Sequence, residues 1–245
     1  MPHATEPSFT GPAEIHSFNG FLFDMDGTII DSTSAIIKHW TKIGNELGID
    51  PNVILATSHG RRSIDVLREH DPSKATYEYV AKIEGELPKQ FGADAVELPG
   101  SRAMLDELQA LGVPWAIVTS GTYPLVTGWL DVMKLAHPQH LVSAEAVENG
   151  KPDPACYRLG YSKLGIEMAE RLEPEVLVLE DAPAGVKAGK AAGFRVCALV
   201  TTHEASQLKE AGADWIVRDM RSVKVKEWDA EKGVAKVEIS ETLQD

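Results

Sequence analysis

The chain has 245 residues, of which 43% are hydrophobic, and this is enough for one well-filled domain or for one domain with a modest insertion. Acidic residues outnumber basic ones by 37 to 24, and the resulting formal charge of -13 argues against nucleic acid or an anionic membrane surface as a partner. No apolar run approaches the length of a membrane span.

Residues 1–17 show neither the basic start nor the apolar stretch of a signal peptide, and we expect a flexible tail on a cytoplasmic protein. The two cysteines, Cys156 and Cys197, have no CxxC spacing and no histidine cluster beside them. We therefore expect reduced, buried thiols in preference to a disulfide or a zinc site.

Five short apolar runs are typical of buried parallel strands, and helix-like stretches lie between them. The runs cover residues 18–23, 114–118, 175–179, 195–200 and 214–217. This alternation predicts an α/β fold with a Rossmann-like parallel sheet. Near the C-terminus, residues 223–239 contain two alternating segments around a turn-prone DAEKG, which predicts a β-hairpin on the edge of the sheet.

The segment between the first two runs, residues 31–98, has a different character. Apolar residues recur there at helical spacing, and the pattern ends at Gly48: Ile36, Trp40, Ile43 and Leu47. Residues 76–91 predict another helix, and no strand-like run of comparable quality interrupts the segment. We expect a helical cap at 31–98, inserted after the first strand into a core domain formed by 18–30 and 99–245.

Polar side chains gather at one predicted edge of the sheet, where ligands of open α/β sheets bind. Acids and hydroxyls directly follow three of the predicted strands: Asp24 and Asp26, then Thr119 and Ser120, then Glu180 and Asp181. Lys151 lies in a turn just before a predicted helix, and from there it could reach the same edge.

Four carboxylates at this edge would repel one another unless a positive charge neutralised them. Mg²⁺ prefers such oxygen ligands, and it also prefers substrates that supply phosphate oxygens. Thr119, Lys151 and the amides of the turns at Asp24 and Ser120 are suited to holding a phosphate group. The residues therefore predict a magnesium site and a phosphorylated substrate.

Four motifs occur in order along the chain: DMDGT (24–28), VTSG (118–121), GKPDP (150–154) and LEDAPAG (179–185). Together they resemble the haloacid dehalogenase (HAD) superfamily, and specifically its magnesium-dependent phosphatase branch, from about residue 18 to residue 218. The resemblance implies a HAD-like core with a helical cap of the C1 type, and it implies hydrolysis of a phosphomonoester.

The same resemblance implies roles for the residues of the motifs. Asp24 would attack phosphorus to give an aspartyl phosphate, and Asp26 would protonate the leaving oxygen and then deprotonate the hydrolytic water. The metal would be held by the side chains of Asp24 and Asp181 and the backbone carbonyl of Asp26, with Glu180 a direct ligand or an outer contributor. Phosphoryl binding would fall to polar residues of the same edge: Thr119, Ser120 and Lys151.

Other stretches are similar to the fungal glycerol-3-phosphate phosphatases and to the 2-deoxyglucose-6-phosphate phosphatases, among them TSHGRRSIDVLREHDP (57–72) and EDAPAGVKAGKAAG (180–193). Both substrates remain open, as does a phosphosugar mutase that uses the same pair of aspartates and a similar cap. A catalytically silent binding protein on this fold is disfavoured because such a protein would be expected to lose the nucleophile or the metal acids. This chain keeps Asp24, Asp26, Lys151 and Asp181. We expect a monomer that binds a small phosphorylated polyol or sugar.

Two places in the predicted cap carry further candidates. His59, Arg61 and Arg62 lie in a loop that the fold would direct towards the active site, where an arginine could bind phosphate through two hydrogen bonds. We favour His59 and Arg62, because the cap of the family carries SHG, a variable position and then arginine. Glu84 and Glu86 could accept hydrogen bonds from polyol hydroxyls, yet at that spacing they cannot share one helix face.

Overall fold

The computed structural model describes residues 7–58, 60–166 and 176–244. Its strands in chain order are β1 (Glu14–Phe18), β2 (Gly20–Phe23), β3 (Ile30–Asp31), β4 (Val96–Glu97), β5 (Trp115–Val118), β6 (His140–Val142), β7 (Val176–Glu180), β8 (Arg195–Leu199), β9 (Trp215–Val217), β10 (Val223–Asp229) and β11 (Val234–Ile239). Its helices are α1 (Thr33–Leu47), α2 (Pro51–Ser58), α3 (Ser63–His70), α4 (Tyr77–Phe91), α5 (Ser101–Leu111), α6 (Tyr123–Met133), α7 (Ala155–Lys163), α8 (Pro183–Ala191) and α9 (Ala205–Glu210).

The centre of the molecule is a six-stranded parallel sheet with the strand order β6-β5-β2-β7-β8-β9. Every residue of β2, β5 and β7 is buried, as expected for a parallel sheet that is covered on both faces. Along β2, the side chains of Phe21 and Phe23 belong to one apolar cluster, whereas Leu22 belongs to the cluster on the opposite face. The predicted α/β fold is therefore confirmed.

The strand order reverses direction at β2, and this reversal positions the functional site. From β2 the chain proceeds outward to β5 and β6 on one side, and it then returns to β7, β8 and β9 on the other. The carboxyl ends of β2, β5 and β7 consequently border a crevice, which is where open α/β sheets bind their ligands.

The chain leaves the core and returns to it through a short antiparallel pair, β3 and β4, in which Ile30 lies opposite Glu97. Helices α1 to α4 lie between these two strands and share an apolar cluster of their own: Trp40, Ile43, Ile54, Ile64, Val66, Leu67 and Val80. Helix α1 ends at Gly48, as the sequence predicts, and this glycine has the left-handed conformation with φ of 70°. The predicted cap limits of 31 and 98 fall beside the β3–β4 pair.

The structure corrects two predictions outside the parallel sheet. Residues 14–17, expected in the flexible tail, form β1 together with Phe18, and β1 pairs antiparallel with β11. The hairpin of β10 and β11 joins β1 in a separate three-stranded sheet and does not extend the edge of the parallel one. The physical reason is that one face of β11 packs into the core through Ala235, Val237 and Ile239. Residues 1–6 of the predicted tail lie outside the described residues.

The first apolar run is also divided differently from the prediction. Phe18 ends β1, and the buried parallel strand covers only Gly20–Phe23. In addition, β6 was not predicted, because it has only three residues and no continuous apolar run.

Two smaller sequence expectations concern the cysteines and membrane spans. Cys156 and Cys197 are buried and unpaired, as predicted. Burial raises the pKa of both thiols, so both stay protonated at neutral pH. Within the part of the chain that the structure describes, no helix is long and apolar enough to cross a membrane.

Candidate active site

Asp24 lies at the carboxyl end of β2, on the floor of a cavity between the core and the cap. Its amide donates a hydrogen bond to the carbonyl of Leu179 at 3.0 Å, so the sheet ladder continues one residue beyond β2 and fixes the backbone there. The residue is only 7% exposed. Burial raises the pKa of Asp24 well above its ordinary value, although the charge of Lys151 opposes this shift.

Lys151 connects two of the buried acids. Its Nζ donates to Oδ1 of Asp24 at 2.5 Å, to Oε1 of Glu180 at 2.6 Å and to the carbonyl of Val118 at 3.1 Å. Burial disfavours the charged ammonium, but the charges of Asp24 and Glu180 outweigh burial and raise the pKa of Lys151. Lys151 is therefore a fixed positive charge on the cavity floor.

The carboxylate of Glu180 is fully occupied by partners within the protein. Oε1 accepts hydrogen bonds from Lys151 Nζ at 2.6 Å and from Tyr157 Oη at 2.8 Å, while Oε2 accepts from the next two backbone N–H groups at 2.9 and 3.0 Å. A carboxylate has about four acceptor positions, so all of them are used. A Cβ at Gly185 would lie 1.6 Å from Oε1, and only glycine therefore lets α8 approach Glu180 this closely.

Asp181 directly follows Glu180 at the end of β7 and is 1% exposed. Thr28 Oγ1 donates to its Oδ1 at 3.2 Å, and Thr202 Oγ1 donates to its Oδ2. A Cβ at Gly27 would lie 2.2 Å from Asp181 Oδ2, and Gly27 also has a φ of 95°. A side chain at that position would therefore push the two acidic turns apart.

The donor set of this edge fits a divalent cation with hard oxygen ligands. Carboxylate oxygens of Asp24, Glu180 and Asp181, all buried, lie within 4.8 Å of one another. Because the acceptor positions of Glu180 are already used, Asp24 and Asp181 are the acids of this group that would contact a cation directly. Against these acids Lys151 supplies one positive charge, so a further cation would neutralise the remaining repulsion. Mg²⁺ takes such oxygen ligands in preference to nitrogen or sulfur.

Asp26 differs from the three acids of the cavity floor because its side chain is only partly buried. It lines the same cavity, and Ser32 Oγ donates to its Oδ1 at 2.5 Å. Ser32 directly precedes α1, so the start of the cap sets the orientation of Asp26.

The core and the cap together enclose a cavity of about 70 Å³. The core contributes a polar floor and two apolar side chains: Asp24, Asp26, Thr119, Ser120, Gly121, Leu125, Lys151, Glu180, Asp181 and Ala182. The cap contributes a mixed wall: Ile36, His39, Trp40, Ser58, Gly60, Arg61, Ser63, Glu84 and Leu87.

Thr119 and Ser120 both line this cavity, at the end of β5. The hydroxyl of Thr119 accepts a hydrogen bond from the amide of Gly121 at 3.0 Å, which shapes the turn there. Ser120 Oγ donates to the carbonyl of Gly60 at 3.1 Å, so this turn also contacts the cap loop. The cavity therefore unites the predicted residues of the sheet edge: Asp24, Asp26, Thr119, Ser120, Lys151, Glu180 and Asp181.

The cap loop corrects the prediction for Arg62. Arg62 is 3% exposed and is not among the described residues that line the cavity. Its guanidinium instead binds Asp65 and backbone carbonyls of the core. The neighbouring Arg61 lines the cavity and also donates to Glu69 at 3.3 Å. His59 lies outside the described residues.

The two glutamates of α4 have different environments. Glu84 is 4% exposed, lines the cavity and accepts a hydrogen bond from the amide of Thr122 at 2.8 Å. Burial raises the pKa of Glu84, and the nearby charge of Asp26 adds to the shift. Glu86 is exposed and pairs with Lys89 on the outer surface at 3.2 Å.

Four side chains that orient the acids had no such role predicted from the sequence: Thr28, Ser32, Tyr157 and Thr202. Hydroxyls that flank an acidic turn are a usable signal, and this signal could have identified Thr28 and Ser32. Tyr157 and Thr202 reach the site only through tertiary packing, and nothing in their local sequence sets them apart.

Residues 21–199 match the haloacid dehalogenase-like hydrolase family. The chain belongs to this family. A glycerol-1-phosphate phosphohydrolase of Saccharomyces cerevisiae is 39% identical over 229 residues, covering 92% of this chain and 91% of the relative. A 2-deoxyglucose-6-phosphate phosphatase of the same yeast is 34% identical over 218 residues, covering 83% and 89%.

Among solved structures, a hydrolase from Pseudomonas syringae superposes with a TM-score of 0.67 at 23% identity, covering 82% of this chain and 93% of that one. This likeness shows the shared fold. The family membership and the enzyme class predicted from the sequence, a phosphoric monoester hydrolase, are therefore confirmed.

Proposed function

We propose that this enzyme is a Mg²⁺-dependent phosphatase that hydrolyses a small polyol or sugar phosphate through a phosphorylated Asp24. The observation that carries the proposal is the pairing of buried Asp24 with Lys151 on the floor of a small cavity, beside Asp181. Glycerol phosphate is the first substrate to test, and 2-deoxyglucose 6-phosphate is the second.

Asp24 must be ionised in order to attack phosphorus. Two features of its environment have opposite effects on its ionisation. Burial favours the neutral acid, whereas Lys151 at 2.5 Å favours the carboxylate. Asp24 and Asp181 would hold Mg²⁺, and the cation would supply further positive charge against the phosphoryl oxygens. Three hydrogen bonds, from Tyr157 and two backbone N–H groups, fix the carboxylate of Glu180. The fourth bond, from Lys151 Nζ, therefore holds the lysine in place.

The covalent steps balance with two carboxyl groups and one water. An oxygen of Asp24 forms a bond to phosphorus while the bond between phosphorus and the polyol oxygen breaks, and Asp26 gives its proton to that oxygen. Water then attacks the phosphorus of the aspartyl phosphate and passes a proton to Asp26. Inorganic phosphate leaves, and both acids return to their starting states.

The size of the cavity supports a small leaving group. A space of about 70 Å³ suits the carbon and oxygen atoms of a short polyol better than those of a nucleotide or a disaccharide. Glu84 offers carboxylate oxygens at the cap wall, and such oxygens accept hydrogen bonds from hydroxyl groups. The names of the yeast relatives, glycerol-1-phosphate phosphohydrolase and 2-deoxyglucose-6-phosphate phosphatase, point to the same substrate class.

The experiment is a phosphate-release assay on the purified enzyme with Mg²⁺, and with Asp24→Asn as the control. Substrates are glycerol 3-phosphate, glycerol 1-phosphate, 2-deoxyglucose 6-phosphate and common hexose phosphates. We expect the highest kcat/KM with a glycerol phosphate and no turnover by the Asp24→Asn protein. Conversion of β-glucose 1-phosphate to glucose 6-phosphate without phosphate release would favour the mutase instead. Equal activity of the Asp24→Asn protein would refute the proposed mechanism.

A further inference from the structure

We propose that Arg62 is a positioning residue for this reaction, which fixes the loop that carries Lys151 to the closed cap. The proposal rests on the proposed phosphatase function. Arg62 directly precedes α3 of the cap, yet its side chain crosses to the core. Nη1 donates to the carbonyls of Val147 at 2.9 Å and Ala144 at 3.5 Å, and Nη2 donates to the carbonyl of Glu148 at 3.0 Å.

The other donors of Arg62 are also used, which excludes a role as a phosphate ligand in this arrangement. Asp65 accepts from Nε at 2.7 Å and from Nη2 at 3.0 Å, in the two-pronged geometry that suits a guanidinium. Nη1 also donates to Tyr77 Oη at 3.3 Å. A guanidinium has five N–H groups, and the six acceptor atoms around Arg62 leave none of these groups available to a phosphate.

The carbonyls that Arg62 binds belong to the loop that runs from β6 to Lys151. Arg62 also packs directly against the end of that loop, because a Cβ at Gly150 would lie 2.8 Å from its Nε. Gly150 precedes Lys151, whose Nζ contacts Asp24 at 2.5 Å. A continuous set of contacts thus joins the cap, through Arg62 and this loop, to the attacking carboxylate.

These bonds couple two events that the reaction requires. They join cap and core, so a movement of the cap away from the core would break them. When these bonds are made, they hold the loop at three carbonyls, those of Ala144, Val147 and Glu148. They thereby limit the positions that Lys151 can adopt. Arg62 therefore links closure of the cavity to the correct placement of the charge beside Asp24, a placement on which rate depends steeply.

The test compares Arg62→Ala, Arg62→Lys and Arg68→Ala in the full chain with Mg²⁺. Arg68 is a matched control, because it lies on the same helix and donates to the same Asp65 at 2.7 Å, but its side chain is 55% exposed. We expect both Arg62 variants to lose about 100-fold in kcat/KM, since misplacing a catalytic group by about 1 Å costs that much. We expect Arg68→Ala to change kcat/KM by less than about twofold, as is typical of exposed ion pairs.

Four readouts separate positioning from substrate binding and from folding. Because Arg62 is not among the described residues that line the cavity, the loss should be the same factor for glycerol 3-phosphate and for p-nitrophenyl phosphate. The loss should also appear in kcat more than in KM. Guanidinium ion at low millimolar concentration should restore part of the kcat of Arg62→Ala. Thermal unfolding of each variant checks that the assays use folded protein.

Three outcomes would overturn the inference. A loss of kcat/KM that differs between the two substrates, or that comes from a higher KM, would show that Arg62 binds the substrate. A loss that follows the folded fraction, without rescue by guanidinium, would make its role purely structural. If Arg62→Ala were as active as Arg68→Ala, Arg62 would have no role in positioning Lys151. If the wild-type protein releases no phosphate, the proposed function fails and this inference fails with it, whereas the other outcomes leave that function intact.

Discussion

Replacing Lys151 with methionine removes the positive charge between Asp24 and Glu180 while it keeps a side chain of similar length. The Nζ lies 2.5 Å from Asp24 and 2.6 Å from Glu180, and the side chains of Lys151, Asp24 and Glu180 are 4%, 10% and 1% exposed. Leaving a buried charge without its partner costs about 3 to 5 kcal/mol. For a chain of this size we expect the Tm of the metal-free protein to fall by about 6 to 20 °C, at about 2 to 4 °C for each kcal/mol.

The pH dependence of this loss follows from Asp24. Burial raises its pKa and Lys151 lowers it, so the variant should have an even higher pKa at Asp24. A carboxyl group with a raised pKa binds more protons in the folded than in the unfolded state, and stability therefore falls as the pH rises above the unfolded pKa of about 4. The pKa of Asp24 is already raised in the wild type, so the difference in stability between wild type and Lys151→Met should be smallest near pH 4, where Asp24 is protonated in both folded proteins. The difference should grow once the pH exceeds the folded-state pKa of Asp24 in the wild type.

The assay is thermal unfolding followed by circular dichroism in EDTA at several pH values, with Lys190→Met as the control. Lys190 pairs with Asp214 at 2.7 Å, but the two side chains are 35% and 28% exposed, so its loss should cost about 0 to 1 kcal/mol. In the phosphatase assay Lys151→Met should lower kcat by about 100-fold to 1000-fold. Equal shifts in Tm for both variants, or a Lys151→Met shift that does not change with pH, would refute the electrostatic reasoning.

Further predictions concern the same cavity. Gly185→Ala should lower kcat by about 100-fold with little change in KM, because a Cβ 1.6 Å from Glu180 Oε1 must displace the carboxylate that holds Lys151. Glu84→Gln should raise KM for glycerol 3-phosphate by about tenfold through a weaker hydrogen bond, whereas Glu86→Gln should leave steady-state kinetics unchanged. EDTA should abolish phosphate release, and Mg²⁺ should restore it better than the larger Ca²⁺, as titration of the assay would show.

The sheet and its acidic edge could be predicted from the sequence because their signals are local. Buried parallel strands appear as continuous apolar runs, and the residues that follow the runs must meet at one edge. Asp24, Thr119 and Asp181 follow three different runs, so the sequence predicts them at the same edge, and the structure has all three in one cavity. The end of α1 at Gly48 was equally accessible, because glycine readily adopts the left-handed conformation there.

The predictions that failed depend on contacts between distant parts of the chain. β1 has the sequence EIHSF, with only Phe18 fully buried, so it shows no apolar run, and it becomes a strand because β11 pairs with it. Arg61 and Arg62 are adjacent and chemically identical, and their different directions depend on where the cap contacts the core loop at Val147 and Glu148. No property of the local sequence distinguishes the two arginines.

The glutamates of α4 are an intermediate case. The two-residue spacing of Glu84 and Glu86 shows only that they lie on different faces, but the apolar pattern of the helix also shows which of them is buried. The buried residues of α4 include Val80, Glu84 and Leu87, which recur at intervals of four and three and therefore form one stripe of the helix. Glu86 lies off this stripe and is exposed. A carboxylate on an otherwise apolar stripe loses its hydration unless partners replace it, and such a position is expected at an interface or a binding site. The same pattern gives Glu84 its place at the cap wall and its contact with Thr122 across the boundary between cap and core.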